Sequence, residues 1–512
     1  MKIFATFLAR REYISLLCIT LLFSLLRLPS LIEPYWYGDE GIYETIGIAL
    51  RSGRELYSGI WDNKPPLLYL VYAVFNGDQF GVRLASLLSG LAAVIVFFFL
   101  THILLTNKRI ASLASGLFAL LFALPLLEGN IANAENFMLF PILLASLLIF
   151  EALSEAAKKN KLQLIIHNSK LITLFLSGLL LGLAFLFKIV AIFDLAAFAV
   201  FIMFTIFLSR DTANKEETIK RTLLFLIHNS KFIILLVSGF LLPIIVSLGY
   251  FASVGALRDY IQAVFLQNVR YVGYKNAFII PQGLLLLKLL LLLGILLYLF
   301  WQRKKYSQAT LFIIIWFAFS LFNAFFSQRP YIHYALVLLP AFCLMLGLTA
   351  QEYKKNYRIP VLFIAAFVAT IITFDLTTYK KTSSYYANYL SFITGNKSVS
   401  EYQRFFDSDV PRDYELARYL RSRPDRDNGV FIWGNSAQIY ALSGMLPPGR
   451  YTVAYHIAYF GSQTKEEMAN VLAKKKPEYI VIMPDIPDYP FSLEEYRQKI
   501  MIQDSTIYER TH

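Results

Sequence analysis

Apolar stretches long enough to cross a bilayer recur along most of this chain, and that recurrence restricts the possible folds more than any other feature. A spanning helix needs roughly 20 apolar residues, because inside hydrocarbon every backbone N–H and C=O must be satisfied within the segment itself. Eleven runs meet or approach that length: 13–31, 82–105, 110–127, 137–153, 171–187, 189–208, 232–253, 283–301, 311–326, 334–350 and 360–376. The expected fold is a polytopic α-helical membrane protein of about eleven transmembrane helices. Charged residues make up only 16% of the chain, against about 25% in soluble domains. This excludes a cytosolic enzyme, a disordered chain and a disulfide scaffold. Cys18 and Cys343 lie inside apolar runs and read as small buried hydrophobes rather than as a redox pair or metal ligands.

A net charge of +13 invites a nucleic-acid partner until the charges are located. With the N-terminus cytoplasmic, the six inner segments hold twenty Lys and Arg, against eight in the outer segments before Tyr379. Loop cations on the cytoplasmic side set membrane orientation, so the basicity is topological and no nucleic-acid partner is expected. The expected location is the plasma (inner) membrane. Arg27-Leu28-Pro29 follows the first run where a cleavage site would need small residues, so that run is expected to stay as a helix.

Eleven crossings place the end of the chain outside. There, 429–434 and 479–484 read as short buried strands, and 412–423 and 465–476 as helices. The expected division is a transmembrane catalytic part, 1–378, with an outer loop at 32–80, and an extracytoplasmic soluble α/β domain, 379–512, serving as a lid or acceptor-binding module. The small sheet is expected to be parallel. Ile166-His-Asn-Ser-Lys170 reappears as Ile227-His-Asn-Ser-Lys231, either a shared inner-surface start with a basic anchor or a segment duplication.

The outer loop concentrates the polar chemistry. Asp39 and Glu40 follow the first run closely; such a pair holds a cation or accepts a proton, or else sits at a helix N-terminus, where acids are favourable. Lys64 precedes Pro65 and Pro66, which hold it on a stiff, extended segment. A cation fixed at headgroup level suits an anionic lipid phosphate, whereas a snorkelling lysine would need no prolines. Glu135 opens the fourth run and Lys188 sits between two apolar runs; ionisable groups so placed are functional candidates, with an N-cap acid and an interfacial anchor as the bland alternatives. Arg329 and His333 lie at the outer mouth of the tenth run, and Arg270 and Lys275 on another outer segment.

Taken in order, Asp39-Glu40-x-x-Tyr43, Gly53-x-x-Leu56-Tyr57, Trp61-Asp62-x-Lys64-Pro65-Pro66-Leu67, Glu135 and Leu186-x-Lys188 resemble the GT-C integral-membrane glycosyltransferases. The similar branch is the bacterial one that includes aminoarabinose transferase and the protein O-mannosyltransferase relatives. The likeness covers about the first 350 residues in layout, and the tail resembles the outer α/β domain of many such proteins. The resemblance implies a polyprenyl-phosphate sugar donor, membrane lipids as surroundings, and a lipid, glycan or protein hydroxyl as acceptor on the outer face. By motif, Asp39 is the acid–base group, with Glu40 beside it, and Glu135 is a second acid. Lys64 binds the carrier phosphate and Lys188 adds a phosphate or acceptor contact. Tyr43, Tyr57, Arg270, Arg329 and His333 complete the expected substrate contacts. A divalent metal is left open, with Asp39, Glu40 and Glu135 as its candidate ligands. A single displacement with inversion is expected, because the lipid phosphate is already a good leaving group. The rival reading is a transporter or flippase of a lipid-linked or anionic solute, but Pro141, Pro243 and Pro340 form no matching pair of broken helices. A mere membrane anchor would not need so many helices.

Overall fold

The computed structural model describes residues 10–157, 168–208, 219–268, 284–326, 332–352, 365, 382–424, 429–459, 462–486 and 488–511. In chain order the first helices are α1 (Arg10–Arg27), α2 (Gly38–Arg51), α3 (Pro66–Phe75), α4 (Gln79–Leu104), α5 (Lys108–Ala123), α6 (Ala134–Ala157), α7 (Asn168–Phe187), α8 (Ile192–Leu208) and α9 (Ile219–Ser253). The helices Leu284–Gln302, Gln308–Phe326 and Leu339–Glu352 follow. Among the described residues, eight helical stretches are long and apolar enough to span a membrane. This is a multi-pass helical membrane protein.

Two expected spans are shorter than their apolar runs. α5 stops at Ala123 because Leu124 is extended ahead of Pro125, as the proline ring demands of its predecessor. The helix Leu339–Glu352 begins only after a 3-10 turn at Ile332–Ala335. The expected span 360–376 lies outside the described residues, apart from residue 365. In Leu284–Gln302, Leu287, Leu290, Leu291 and Trp301 are exposed, as a helix facing lipid tails requires.

The repeated pentapeptide has a structural counterpart. Both copies continue into Ser-Gly, at Ser177-Gly178 and Ser238-Gly239, with the same spacing of 61 residues. α7 and α9 run parallel, with Gly178 against Leu236 and Gly182, one turn on, against Phe240. A Cβ on Gly178 would collide with the Leu236 carbonyl oxygen, and one on Gly239 with that of Phe175. Phe175 and Leu236 are themselves equivalent positions in the two copies. The repeats therefore pack face to face in matching register, and small residues let the backbones approach. This reciprocity favours duplication over a shared surface start.

The outer part contains a four-stranded sheet in the order β1-β2-β4-β3, formed by β1 (Val430–Trp433), β2 (Tyr479–Ile482), β3 (Tyr496–Ile502) and β4 (Ser505–Arg510). β1 and β2 pair in parallel as expected, Val430 opposite Tyr479. β4 pairs antiparallel with β2 and forms a hairpin with β3, so the sheet is mixed rather than purely parallel. β3 is largely exposed and its polar residues hide it from a hydrophobicity reading. This part rests on the end of the bundle: Thr45 Oγ1 donates to the Ala437 carbonyl at 3.0 Å, and Tyr35 N–H to Tyr414 Oη at 3.0 Å.

Gly178→Ala or Gly239→Ala should lower the melting temperature in detergent, corresponding to about 1–3 kcal/mol of overpacking. Gly249→Ala, with open space at its Cβ, serves as the control and should leave it unchanged.

Candidate active site

α2 positions the first acid. Tyr37 is its extended N-cap residue and Asp39 and Glu40 fall in its first turn, where the exposed N–H groups favour negative charge. Gly41 faces the backbone of Gln438 in the outer part, and Gly47 that of Tyr72 on α3, each too close for a side chain. α2 is thus wedged between the outer part and the bundle. One turn on from Asp39, Tyr43 donates its hydroxyl to Asp39 Oδ2 at 3.0 Å. Lys64 Nζ lies 3.7 Å from the same oxygen, with side-chain exposures of 23% for Lys64 and 41% for Asp39, so both remain reachable. Burial opposes ionisation of each. The lysine cation outweighs it at Asp39, helped by His333, and holds the carboxyl below its ordinary value; Asp39 and Asp62 likewise hold the Lys64 ammonium above its own.

The lysine stands on a segment without regular structure, braced at each residue. Asn268 Nδ2 donates to the Asn63 carbonyl at 2.8 Å. Lys64 N–H donates to Tyr69 Oη at 3.1 Å, and the Tyr69 hydroxyl donates to Asp62 Oδ2 at 2.7 Å. Tyr57, held at φ +70°, donates its hydroxyl to the Lys64 carbonyl at 2.8 Å. It is fully buried against Phe251 and Tyr260, so the structure places it behind Lys64 as a brace, not in the cleft as a substrate contact. Pro66 opens α3 at its first position, where its missing N–H costs nothing.

Glu135 and Lys188 form a second ion pair. Glu135 lies in the first turn of α6, and Lys188 is the extended residue separating α7 from the turn before α8. His333 Nε2 is 3.7 Å from Glu135 Oε1, and its Nδ1 is 2.8 Å from Glu128 Oε2. Tyr37 donates to Glu128 at 3.0 Å, and Lys188 Nζ lies 4.4 Å over the Tyr334 ring. Asp39 is close enough to feel the charges of His333 and Lys188, and Lys64 that of Glu135. The structure therefore brings Asp39, Tyr43, Lys64, Glu135, Lys188 and His333 to one cleft. Arg270 and Arg329 lie outside the described residues.

Glu40 is not part of that cleft. Its carboxylate is buried against Arg83, 2.6 Å away, and accepts from Ala132 N–H at 3.0 Å. Arg83 also donates to the carbonyls of Ser30 and Glu33 at 3.0 and 2.7 Å, in the connection between α1 and α2. Glu40 is thus a fastening for α2 rather than a catalytic acid. Arg83 was missed although it lies within an apolar run, and a lone intramembrane cation implies a partner. Glu128, Tyr37 and Tyr69 were also missed, and Asp62 entered only as part of the motif around Lys64 without a role, since nothing in their spacing along the chain signals their meeting. The candidate metal ligands Asp39, Glu40 and Glu135 each face a different cation, Lys64, Arg83 and Lys188. Among the described residues no group of three His, Cys, Asp or Glu side chains is arranged to hold a metal.

Residues 53–256 match the family model of dolichyl-phosphate-mannose-protein mannosyltransferases. ArnT from Cupriavidus metallidurans bound to undecaprenyl phosphate superposes with a TM-score of 0.56 at 13% identity, covering 98% of both chains. Residues 53–256 thus carry the mannosyltransferase family match, and the chain as a whole shares the fold of ArnT. The archaeal oligosaccharyltransferase AglB from Archaeoglobus fulgidus, in complex with an inhibitory peptide and a dolichol-phosphate, aligns at 12% identity with a TM-score of 0.46, over 93% of this chain and 70% of that one. No curated protein sequence matches significantly.

Arg83→Met should cost about 3–5 kcal/mol by leaving the Glu40 charge buried and unpaired; adding Glu40→Gln should recover part of the lost detergent melting temperature. A pH effect should come from His456, whose ring lies 3.8 Å from Asp62. Burial first, and Lys64 second, push its pKa down to about 4, against the pull of Asp62 and Asp39. The folded state therefore resists a proton that the unfolded chain binds below about pH 6.5. Thermal stability should fall as pH drops from about 6.5 toward about 4, and His456→Gln should flatten that part of the profile.

Proposed function

We propose that the enzyme transfers a monosaccharide from a polyprenyl-phosphate carrier to a hydroxyl of a lipid, glycan or protein acceptor, by a single displacement with inversion. The observation that carries this reading is the Lys64 ammonium beside the Asp39 carboxylate in a partly open cleft: a cation for the carrier phosphate next to a base for the acceptor. The family match at residues 53–256 supports a carrier of this class, as does the undecaprenyl phosphate bound in ArnT. We place the cleft on the outer face of the plasma (inner) membrane with the N-terminus cytoplasmic. The α4–α5 turn supports this placement. α4 has 26 residues and is about 39 Å long, so Lys108 and Arg109 lie at the end of the bundle opposite the cleft, where cytoplasmic cations belong.

In this mechanism the acceptor oxygen forms the new bond to the anomeric carbon while the bond from that carbon to the phosphate oxygen breaks. The electron pair leaves with the phosphate, where Lys64 stabilises it, and the acceptor proton passes to Asp39. A bound phosphate also competes with Asp39 for Lys64. The carboxylate loses part of the charge that holds its pKa down and becomes a better base when the donor is present. Glu135, Lys188 and His333 stand near this pair, and we assign to them the sugar and acceptor hydroxyls. No step is assigned to a metal ion.

Incubating the purified enzyme with a panel of polyprenyl-phosphate sugars should release sugar from one of them in an acceptor-dependent way. Asp39→Asn should lower that turnover by at least about 100-fold, the scale of a lost general base, with the melting temperature unchanged; full activity would remove Asp39 from the mechanism. Lys64→Ala should chiefly raise the donor KM, and an unchanged donor dependence would return Lys64 to a snorkelling role.

A further inference from the structure

We propose that the outer domain supplies a positioning residue to the donor site: His456 sets the place of Lys64 through Asp62 and Tyr69. The inference rests on the reading of Lys64 as the ligand of the carrier phosphate. The ammonium can be no better placed than the four residues that carry it, and Trp61–Lys64 are neither helix nor strand. On the C-terminal side Pro65 and Pro66 hold the chain. On the N-terminal side Asn268 holds the Asn63 carbonyl, and Trp61 and Asp62 are held from the outer domain.

Trp61 N–H donates to the Arg450 carbonyl at 2.8 Å, and the Trp61 ring meets those of Tyr451 and His456 edge-on, with centroids 5.7 and 5.0 Å apart. Arg450 is itself tied across the interface by Nη1, 3.1 Å from Asp259 Oδ1, and within the outer domain by Nη2, 2.8 Å from Glu467 Oε2. Between these anchors Asp62 is 3% exposed. One of its oxygens accepts the Tyr69 hydroxyl and the other faces His456 Nε2 at 3.8 Å. Tyr69 Oη in turn accepts the Lys64 backbone N–H, so one oxygen atom links the Asp62 carboxylate to the lysine backbone. Displacing His456 frees Asp62 to rotate, which releases Tyr69 and with it the backbone of Lys64. An imidazole suits the position because it faces the carboxylate without bringing a second full cation beside Lys64. A lysine or arginine there would draw Asp62 away from Tyr69 and repel the ammonium that the phosphate needs. The outer domain is thus a working part of the donor site as well as a cover over it.

The test uses the full-length detergent-solubilised protein and its affinity for undecaprenyl phosphate. His456→Ala should weaken binding roughly tenfold, the scale of coupling between groups in one network, and His456→Gln should restore most of it. In a Lys64→Ala background His456→Ala should add less than about twofold, because the effect runs through Lys64. Tyr69→Phe breaks the same relay from within the bundle and should weaken binding without further loss on adding His456→Ala. Binding in His456→Ala or Tyr69→Phe within about twofold of the parent, while Lys64→Ala binds weakly, would overturn the positioning role alone. An equal loss from His456→Ala in both backgrounds would do the same, since it would report general loosening. If Lys64→Ala itself leaves the affinity unchanged, the phosphate-ligand reading fails and this inference falls with it.

Discussion

The Arg83–Glu40 ion pair holds the site in place. Arg83 stands in the first turn and a half of a membrane-spanning helix, with no water to hydrate its charge. Its guanidinium is satisfied by the Glu40 carboxylate and by the Ser30 and Glu33 carbonyls in the connection between α1 and α2. Neither ion is tolerable there without the other. α2 is therefore pinned to the bundle at the residue next to Asp39, and the orientation of Asp39 follows from helix geometry. Glycines at 41 and 47 close the remaining freedom by letting the backbones on either side press against α2.

Against this rigid frame the cleft keeps its charges in pairs that a substrate can rearrange. Asp39–Lys64 and Glu135–Lys188 are each neutral in sum, with the Asp62 and Glu128 carboxylates standing near them. In the proposed mechanism a phosphate entering beside Lys64 alters one pair and leaves the other intact. The basicity of Asp39 is then tied to occupancy of the donor site, which keeps the base weak until there is something to react. The bundle that frames the cleft includes the α7–α9 contact, where two copies of one sequence meet through reciprocal glycines and present Lys188 at the end of one and the wall around Tyr57 at the end of the other.

The outer domain adds hydrogen bonds and a histidine to this frame. It reaches α2 through Thr45 and Gln438, and the lysine segment through Arg450 and His456. Disturbing the outer domain therefore acts on both halves of the Asp39–Lys64 pair.

The sequence alone determined the class of protein, because apolar run length and loop charge respond to the bilayer directly and need no tertiary contact. It also marked the cleft residues with unusual local surroundings, Lys64 before its two prolines and Lys188 between two apolar runs. Tertiary structure decided everything that depends on which side of a helix meets which neighbour. Asp39 and Glu40 are adjacent in the chain yet face opposite fates, because successive helical residues point about 100° apart, one toward the cleft and one toward Arg83. Tyr57 carries a motif residue's name but serves as a brace, since its left-handed backbone turns it inward. Glu128 meets His333, and Asp62 meets His456, from segments far apart in the chain; no local pattern encodes such meetings, and only the packed fold brings these groups within reach.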